Sequence, residues 1–219
     1  MTWDDEEILA LAGAALEAES RILDDGQEPK GLDSFTEKQI QEIAARGIEG
    51  GGYLVLREEV FPSIRRAGAR RSQRERCDLA VLPKGASAVR ESREHSESLA
   101  FGGAAEAGPD EVYWLEMKVL GQFEYRKGIP VPNRQYTTNL IKAFCDDLIK
   151  LDDDPLIRSA CVIQVLFVES EKVAEHDIAV AMGRCIDRGI IPSTPRVRSF
   201  PIADRIGNRL CTVWQTTLR

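Results

Sequence analysis

Three residues whose types could do chemistry together lie in two apolar stretches of the chain. Asp78 lies in RCDLAVLP, and Glu116 and Lys118 lie in VYWLEMKVL. Alternate side chains of a β-strand point to the same face, so Glu116 and Lys118 are predicted to share one face, about 7 Å apart, with Met117 turned into the core. Charged groups in such apolar stretches carry a desolvation cost that surface positions avoid. Two carboxylates and an ammonium on neighbouring strands therefore suggest metal-dependent chemistry.

Hydrophobic periodicity predicts alternating helices and strands around these residues. An N-terminal helix is expected over about 4–23, capped by Thr2 or Asp4, and a second helix from Ser34 to about Arg46, with a capping box at Ser34–Glu37. The remaining predicted elements are strands at about 53–61, 77–82 and 111–120, a helix at 134–151, a strand at 159–168, a helix at 174–187 and a terminal pair of strands. This order predicts an α/β fold with a central mixed sheet flanked by helices.

The length and composition are those of one globular unit, so we predict a single domain over residues 1–219. Residues 1–33 are expected to form an N-terminal helical extension and residues 34–187 the core. Residues 84–110 are rich in Ser, Gly, Ala and charged residues and are expected to be an insertion within that core. Residues 188–219 are expected to carry the C-terminal strand pair.

Composition argues against several classes of protein. The five cysteines are an odd number without a CxxC pair, which favours buried thiols over a disulfide framework. Only two histidines are present, His95 and His176, which argues against an HNH nuclease or a zinc site. No apolar stretch is long enough to span a bilayer, and the first residues are acidic where a secretory signal would be basic. We therefore expect a cytoplasmic protein without a membrane partner.

A formal net charge of -7 does not by itself favour nucleic-acid binding, but the basic residues are unevenly distributed. Six arginines and a single acid lie between residues 65 and 76, directly before Asp78. These candidate nucleic-acid-binding residues are Arg65, Arg66, Arg70, Arg71, Arg74 and Arg76. Arginines clustered in this way could contact phosphates, although a solvated loop between two strands has the same composition.

The order of helix, three strands, helix and strand, with Asp78 on the second strand and Glu116-Met117-Lys118 on the third, resembles the PD-(D/E)XK nuclease superfamily. The resemblance covers about residues 34–187. It implies a restriction-endonuclease-like core in the order αβββαβ, with an extra N-terminal helix and C-terminal strands. It also implies a metal-dependent nuclease that hydrolyses phosphodiester bonds of nucleic acid, DNA more than RNA.

The same resemblance implies roles for individual residues. Asp78, Glu116 and the backbone carbonyl of Met117 would bind Mg²⁺ or Mn²⁺, and Lys118 would orient or activate the attacking water. An additional glutamate on the first core helix occurs in some members, and Glu42 or Glu37 could take that place. A homodimer or a partner subunit would also be consistent with the family.

Two other interpretations stay open at the level of sequence. The motif Glu-x-Lys is common, and the three charged residues could form a structural cross-strand salt bridge. The fold could instead have lost its activity and serve as a protein-interaction module in a larger complex, because a fold does not guarantee a function.

Overall fold

The computed structural model describes residues 3–66, 75–90 and 105–217, except for the side chains of Arg65 and Arg66. Within these ranges the helices are α1 (Asp5–Asp25), α2 (Glu37–Gly50), α3 (Pro62–Arg66), α4 (Tyr136–Asp152) and α5 (Glu171–Asp187). The strands are β1 (Leu54–Val60), β2 (Arg76–Leu82), β3 (Ala86–Val89), β4 (Ala105–Ala107), β5 (Tyr113–Gly121), β6 (Phe123–Arg126), β7 (Ile129–Pro132), β8 (Ser159–Val168), β9 (Arg196–Pro201) and β10 (Leu210–Thr217).

The two N-terminal helices begin at residues that satisfy their free amide groups. Asp4 accepts hydrogen bonds from the backbone N–H groups of Glu6 and Glu7, as expected for a cap. The N-cap of helix α2 is Thr36, two residues after the predicted Ser34, because Thr36 and Gln39 form the capping box. The Ser34 hydroxyl instead donates to the carbonyl of Gly31 in a short 3-10 turn. The predicted box at Ser34–Glu37 is therefore wrong.

Six strands form the central sheet in the order β1-β2-β5-β8-β10-β9. The pair β5–β8 is parallel and the other four pairs are antiparallel. The sheet is therefore mixed, as predicted, with helix α4 in the crossover from β5 to the parallel strand β8. The terminal strands β9 and β10 are antiparallel to each other, and β10 extends the sheet beyond β8.

Helices cover both faces of this sheet, and the sheet separates two apolar cores. Helices α1 and α2 pack on the face that carries Leu115 and Met117 of β5. Helices α4 and α5 pack on the face that carries Trp114 and Leu120. Because both faces are covered, β8 is buried continuously from Cys161 to Val168. The chain therefore has the predicted α/β class, with a mixed central sheet between helices.

Two small sheets lie outside the central one and were not expected from the sequence. The strands β3 and β4 pair in parallel at the two ends of the predicted insertion. The strands β6 and β7 form a hairpin whose turn residues, Lys127 and Gly128, both have positive φ values of 52° and 81°. This hairpin lies between β5 and α4, the two elements that carry most of the candidate site.

Candidate active site

The candidate site begins where β2 and β5 stop pairing. The pairing of β2 with β5 ends at Leu79 and Leu115. Asp78 and Glu116 are the next residues beyond the paired region, one on each strand. The carboxylate of Asp78 accepts a hydrogen bond from the backbone N–H of Met117 at 2.8 Å. An amide at the open edge of a strand needs such a partner, and the side chain of Asp78 supplies it. The structure thus brings Asp78 next to the Glu116-Met117-Lys118 motif.

The next amide on the same edge of β5 is also bound by a carboxylate. The N–H of Val119 donates to Glu37 Oε2 at 3.2 Å, and Glu37 lies in the first turn of α2. Glu42 lies on the same helix, but it forms an ion pair with Arg57 at 3.0 Å on the exposed surface. Of the two glutamates considered for the first core helix, the structure places Glu37 at the motif and Glu42 with Arg57.

The ammonium of Lys118 lies among three carboxylates. Its Nζ is 3.5 Å from Asp147, 3.6 Å from Glu37 and 3.7 Å from Asp78. It also donates to the carbonyl of Met117 at 3.3 Å. Burial lowers the pKa of Lys118, but the surrounding carboxylates, with Asp147 the strongest, outweigh burial and raise that pKa above its ordinary value. Lys118 is therefore a firmly charged ammonium in this site.

Glu116 is only 1% exposed, and its counter-ion is Lys150 of α4. Lys150 Nζ lies 2.7 Å from Glu116 Oε1, donates to the carbonyl of Arg76 at 3.0 Å and stands 4.7 Å from the centre of the Phe61 ring. Burial, followed by repulsion from Asp78, raises the pKa of Glu116 to about 8. The ammonium of Lys150 opposes this rise without cancelling it, so ionisation of Glu116 next to Asp78 remains unfavourable.

Sequence reasoning missed the two residues that α4 contributes. Asp147 and Lys150 are three positions apart and lie on one face of the helix, where they meet Lys118 and Glu116 respectively. Burial raises the pKa of Asp147, and its Oδ2 is the atom that faces the Lys118 ammonium at 3.5 Å. One feature of the sequence could have indicated Asp147. It is a charged residue at a position of α4 where the helical period expects a buried apolar side chain, next to Leu148.

The predicted arginine cluster is placed only in part. Arg65 and Arg66 end the short helix α3, and their side chains lie outside the described part of the structure, as do the whole of Arg70, Arg71 and Arg74. Arg76 lies on β2 and donates to the carbonyl of Glu58 at 2.6 Å. Beside Lys150 and Asp147 the surface opens into a cleft of about 400 Å³, which Phe61 and Glu75 also line. Ser63 and Ile64 of α3 line the same cleft.

The predicted metal ligands can be compared with the donor atoms that Mg²⁺ and Mn²⁺ prefer. Among residues 3–66, 75–90 and 105–217, no three His, Cys, Asp or Glu side chains are arranged as a metal site. The predicted ligands include only two such side chains, Asp78 and Glu116, together with the carbonyl of Met117. Magnesium usually keeps several waters and takes one or two carboxylates, and all three donors are oxygens. A divalent cation would relieve the repulsion between Asp78 and Glu116, so these oxygen donors would suit Mg²⁺ or Mn²⁺.

Comparisons of the chain with protein-family models, with curated proteins and with solved structures give no match. The resemblance to the PD-(D/E)XK superfamily therefore stays a prediction from the residues and their order. In the described part of the chain, no helix is both long and apolar enough to cross a membrane.

Proposed function

We propose that this protein is a metal-dependent nuclease of the restriction-endonuclease-like type, which hydrolyses phosphodiester bonds with Mg²⁺ or Mn²⁺ at Asp78 and Glu116. The order α2, β1, β2, β5, α4 and β8 supports the proposal, because it repeats the αβββαβ order of that core. The carboxylate of Asp78 and the Glu116-Met117-Lys118 motif also meet at the end of the β2–β5 pairing, next to Asp147 and Lys150 of the cleft.

The buried carboxyl group of Glu116, whose ionisation next to Asp78 is unfavourable, is the observation that carries the proposal. Keeping such a group costs stability, and a protein without a use for it would be more stable with an apolar or amide side chain. Strongly perturbed carboxyl groups with a specific charged neighbour are typical of functional sites. Here that neighbour is Asp78, and a divalent cation between two carboxylates would remove their repulsion.

Each charged residue then has a role. Asp78, Glu116 and the carbonyl of Met117 would hold the metal, which when bound acts as a Lewis acid towards a phosphate oxygen and acidifies a water. Lys118 would orient the attacking water and offset the charge that develops on the phosphate. Lys150 positions the Glu116 carboxyl group through their ion pair. Asp147 positions the Lys118 ammonium through a second ion pair.

DNA is the proposed substrate, with the arginines before β2 as its phosphate contacts. Replacing Arg70 and Arg71 by Ala should weaken binding to all sequences alike and reduce the dependence of binding on salt. A variant with an unchanged salt dependence would exclude these two residues as phosphate contacts. A homodimer would supply the two sites needed for cutting both strands.

The test is cleavage of supercoiled plasmid, linear duplex, single-stranded DNA and RNA in Mg²⁺ or Mn²⁺. The variant Lys118→Met should lose all cleavage, whereas Lys142→Met, which alters an exposed lysine of α4, should keep it. In parallel, Mn²⁺ should raise the melting temperature of the unsubstituted protein and not that of Asp78→Asn, because a ligand of the folded state stabilises by mass action. Absence of both cleavage and metal-dependent stabilisation would contradict the proposal.

A second candidate is an inactive protein of the same fold that serves as an interaction module. The observation in its favour is that the carboxylates of Asp78 and Glu116 already have protein partners, namely the amide of Met117 and the ammonium of Lys150. The carbonyl of Met117 is likewise occupied by Lys118. Under this alternative the charges are structural, and neither Mg²⁺ nor Mn²⁺ changes the melting temperature.

A further inference from the structure

Two of the five cysteines lie against each other in the core between α4 and α5. Cys145 Sγ and Cys185 Sγ are 2.9 Å apart, although the residues are 40 positions apart in sequence. Both are free thiols and fully buried. The sulfurs of a disulfide are about 2.05 Å apart, so these two need to approach by only about 0.9 Å to bond.

The pairing follows from the buried stripes of the two helices. On α4 Cys145 lies beside Phe144, and on α5 Cys185 ends a stripe that includes Ile178 and Ala181. Another cysteine, Cys77, has different surroundings, since its thiol donates to the carbonyl of Leu115 at 3.2 Å. The contact between Cys145 and Cys185 is therefore a specific product of how α4 packs on α5.

We propose that Cys145 and Cys185 form a redox-modification site, in which a reversible disulfide links α4 to α5. With oxidised glutathione as the oxidant, a Cys185 thiolate attacks one sulfur of that disulfide and releases one glutathione thiolate. The Cys145 thiolate then attacks the mixed disulfide at Cys185 and releases the second glutathione. Two thiols of the protein are oxidised, one glutathione disulfide is reduced to two thiols, and the two protons go to the released thiolates.

The position of Cys185 provides access for this reaction. It lies in the last turn of α5, which ends at Asp187, and the ends of helices open more readily than their centres. Burial raises the pKa of the Cys185 thiol, so attack requires that opening and is slow in the closed protein. The product would fix α4, the helix that presents Asp147 and Lys150 to the candidate site. This inference does not depend on the proposed nuclease activity.

The experiment is refolding of the full chain from the reduced, denatured state in a glutathione redox buffer, followed by trapping of free thiols and peptide mapping. We expect free thiols to fall from five to three, a mass loss of two hydrogen atoms and one disulfide-linked peptide pair containing Cys145 and Cys185. The oxidised protein should melt about 5 to 15 °C higher than the reduced protein, because the bridge closes a long loop.

Three variants test the assignment. Cys145→Ser and Cys185→Ser should each retain four free thiols and show no shift in melting temperature between oxidising and reducing buffers. Cys211→Ser, which alters a buried cysteine on β10, should still form the bridge. Five free thiols after refolding in oxidising buffer, or a disulfide between any other two cysteines, would overturn the proposal. If Cys211→Ser does not fold, mapping of the unsubstituted protein decides the question alone.

Discussion

Replacing Glu116 by glutamine should stabilise the protein at alkaline pH. The carboxyl group is buried beside Asp78, which raises its pKa to about 8 from an ordinary value of 4.5. Between these two pH values the folded protein holds a proton that the unfolded chain releases. The free energy of unfolding therefore falls as the pH rises from about 4.5 to about 8. Glutamine has nearly the same shape and is always neutral, so it avoids this loss.

The size of the effect follows from the two pKa values. The difference between 4.5 and about 8 corresponds, at about 1.36 kcal/mol per pH unit, to about 4 to 5 kcal/mol. This value already includes the attraction of Lys150, which lies 2.7 Å from Glu116 and opposes the rise in pKa. The advantage of Glu116→Gln should thus be near zero at pH 4.5 and reach about 4 to 5 kcal/mol at pH 9.

The assay is urea unfolding at intervals from pH 4.5 to pH 9 for the unsubstituted protein, Glu116→Gln and Glu175→Gln. Glu175 is an exposed residue of α5, so its substitution controls for the loss of one negative charge. We expect the advantage of Glu116→Gln to grow with pH and that of Glu175→Gln to stay constant. An advantage of Glu116→Gln that does not change with pH, or a loss of stability at pH 9, would refute this reading of the site.

Further predictions concern the counter-ion, the helix contacts and the core. Lys150→Met leaves a buried carboxylate unpaired and should cost about 3 to 5 kcal/mol in urea unfolding at pH 9 but less at pH 6, where the carboxyl is protonated; an equal loss at both pH values would contradict this. Gly47→Ala places a Cβ 2.6 Å from the backbone of α1 and should destabilise by about 1 to 3 kcal/mol, whereas Gly183→Ala, whose Cβ meets nothing within 4 Å apart from the adjacent backbone of its own helix, should stabilise by about 0.5 to 1 kcal/mol. Calorimetry would detect the opposite signs, and equal signs would argue against this packing of α1 on α2. Phe144→Ala should cost about 3 to 5 kcal/mol and alter the fluorescence of Trp214, whose ring centre is 4.7 Å away; an unchanged stability would contradict the packing of Phe144 against Trp214.

The sequence by itself determined the elements with strong hydrophobic patterns. The strand at 159–168 has its predicted bounds, because an apolar stretch of that length is buried on both faces of a sheet. The mixed sheet between helices also follows from the order of strand and helix patterns along the chain. The grouping of Glu116 and Lys118 needed only the two-residue period of a strand.

Only the tertiary structure decided which charges meet. Sequence patterns could not choose Glu37 over Glu42, because both lie on one helix and the choice depends on which turn of α2 reaches the open edge of β5. Asp147 and Lys150 come from a helix whose rotation over the sheet is set by the packing of its apolar stripe. Electrostatic pairing depends on distances of a few ångströms between atoms, and those distances exist only after the cores on both faces of the sheet have formed.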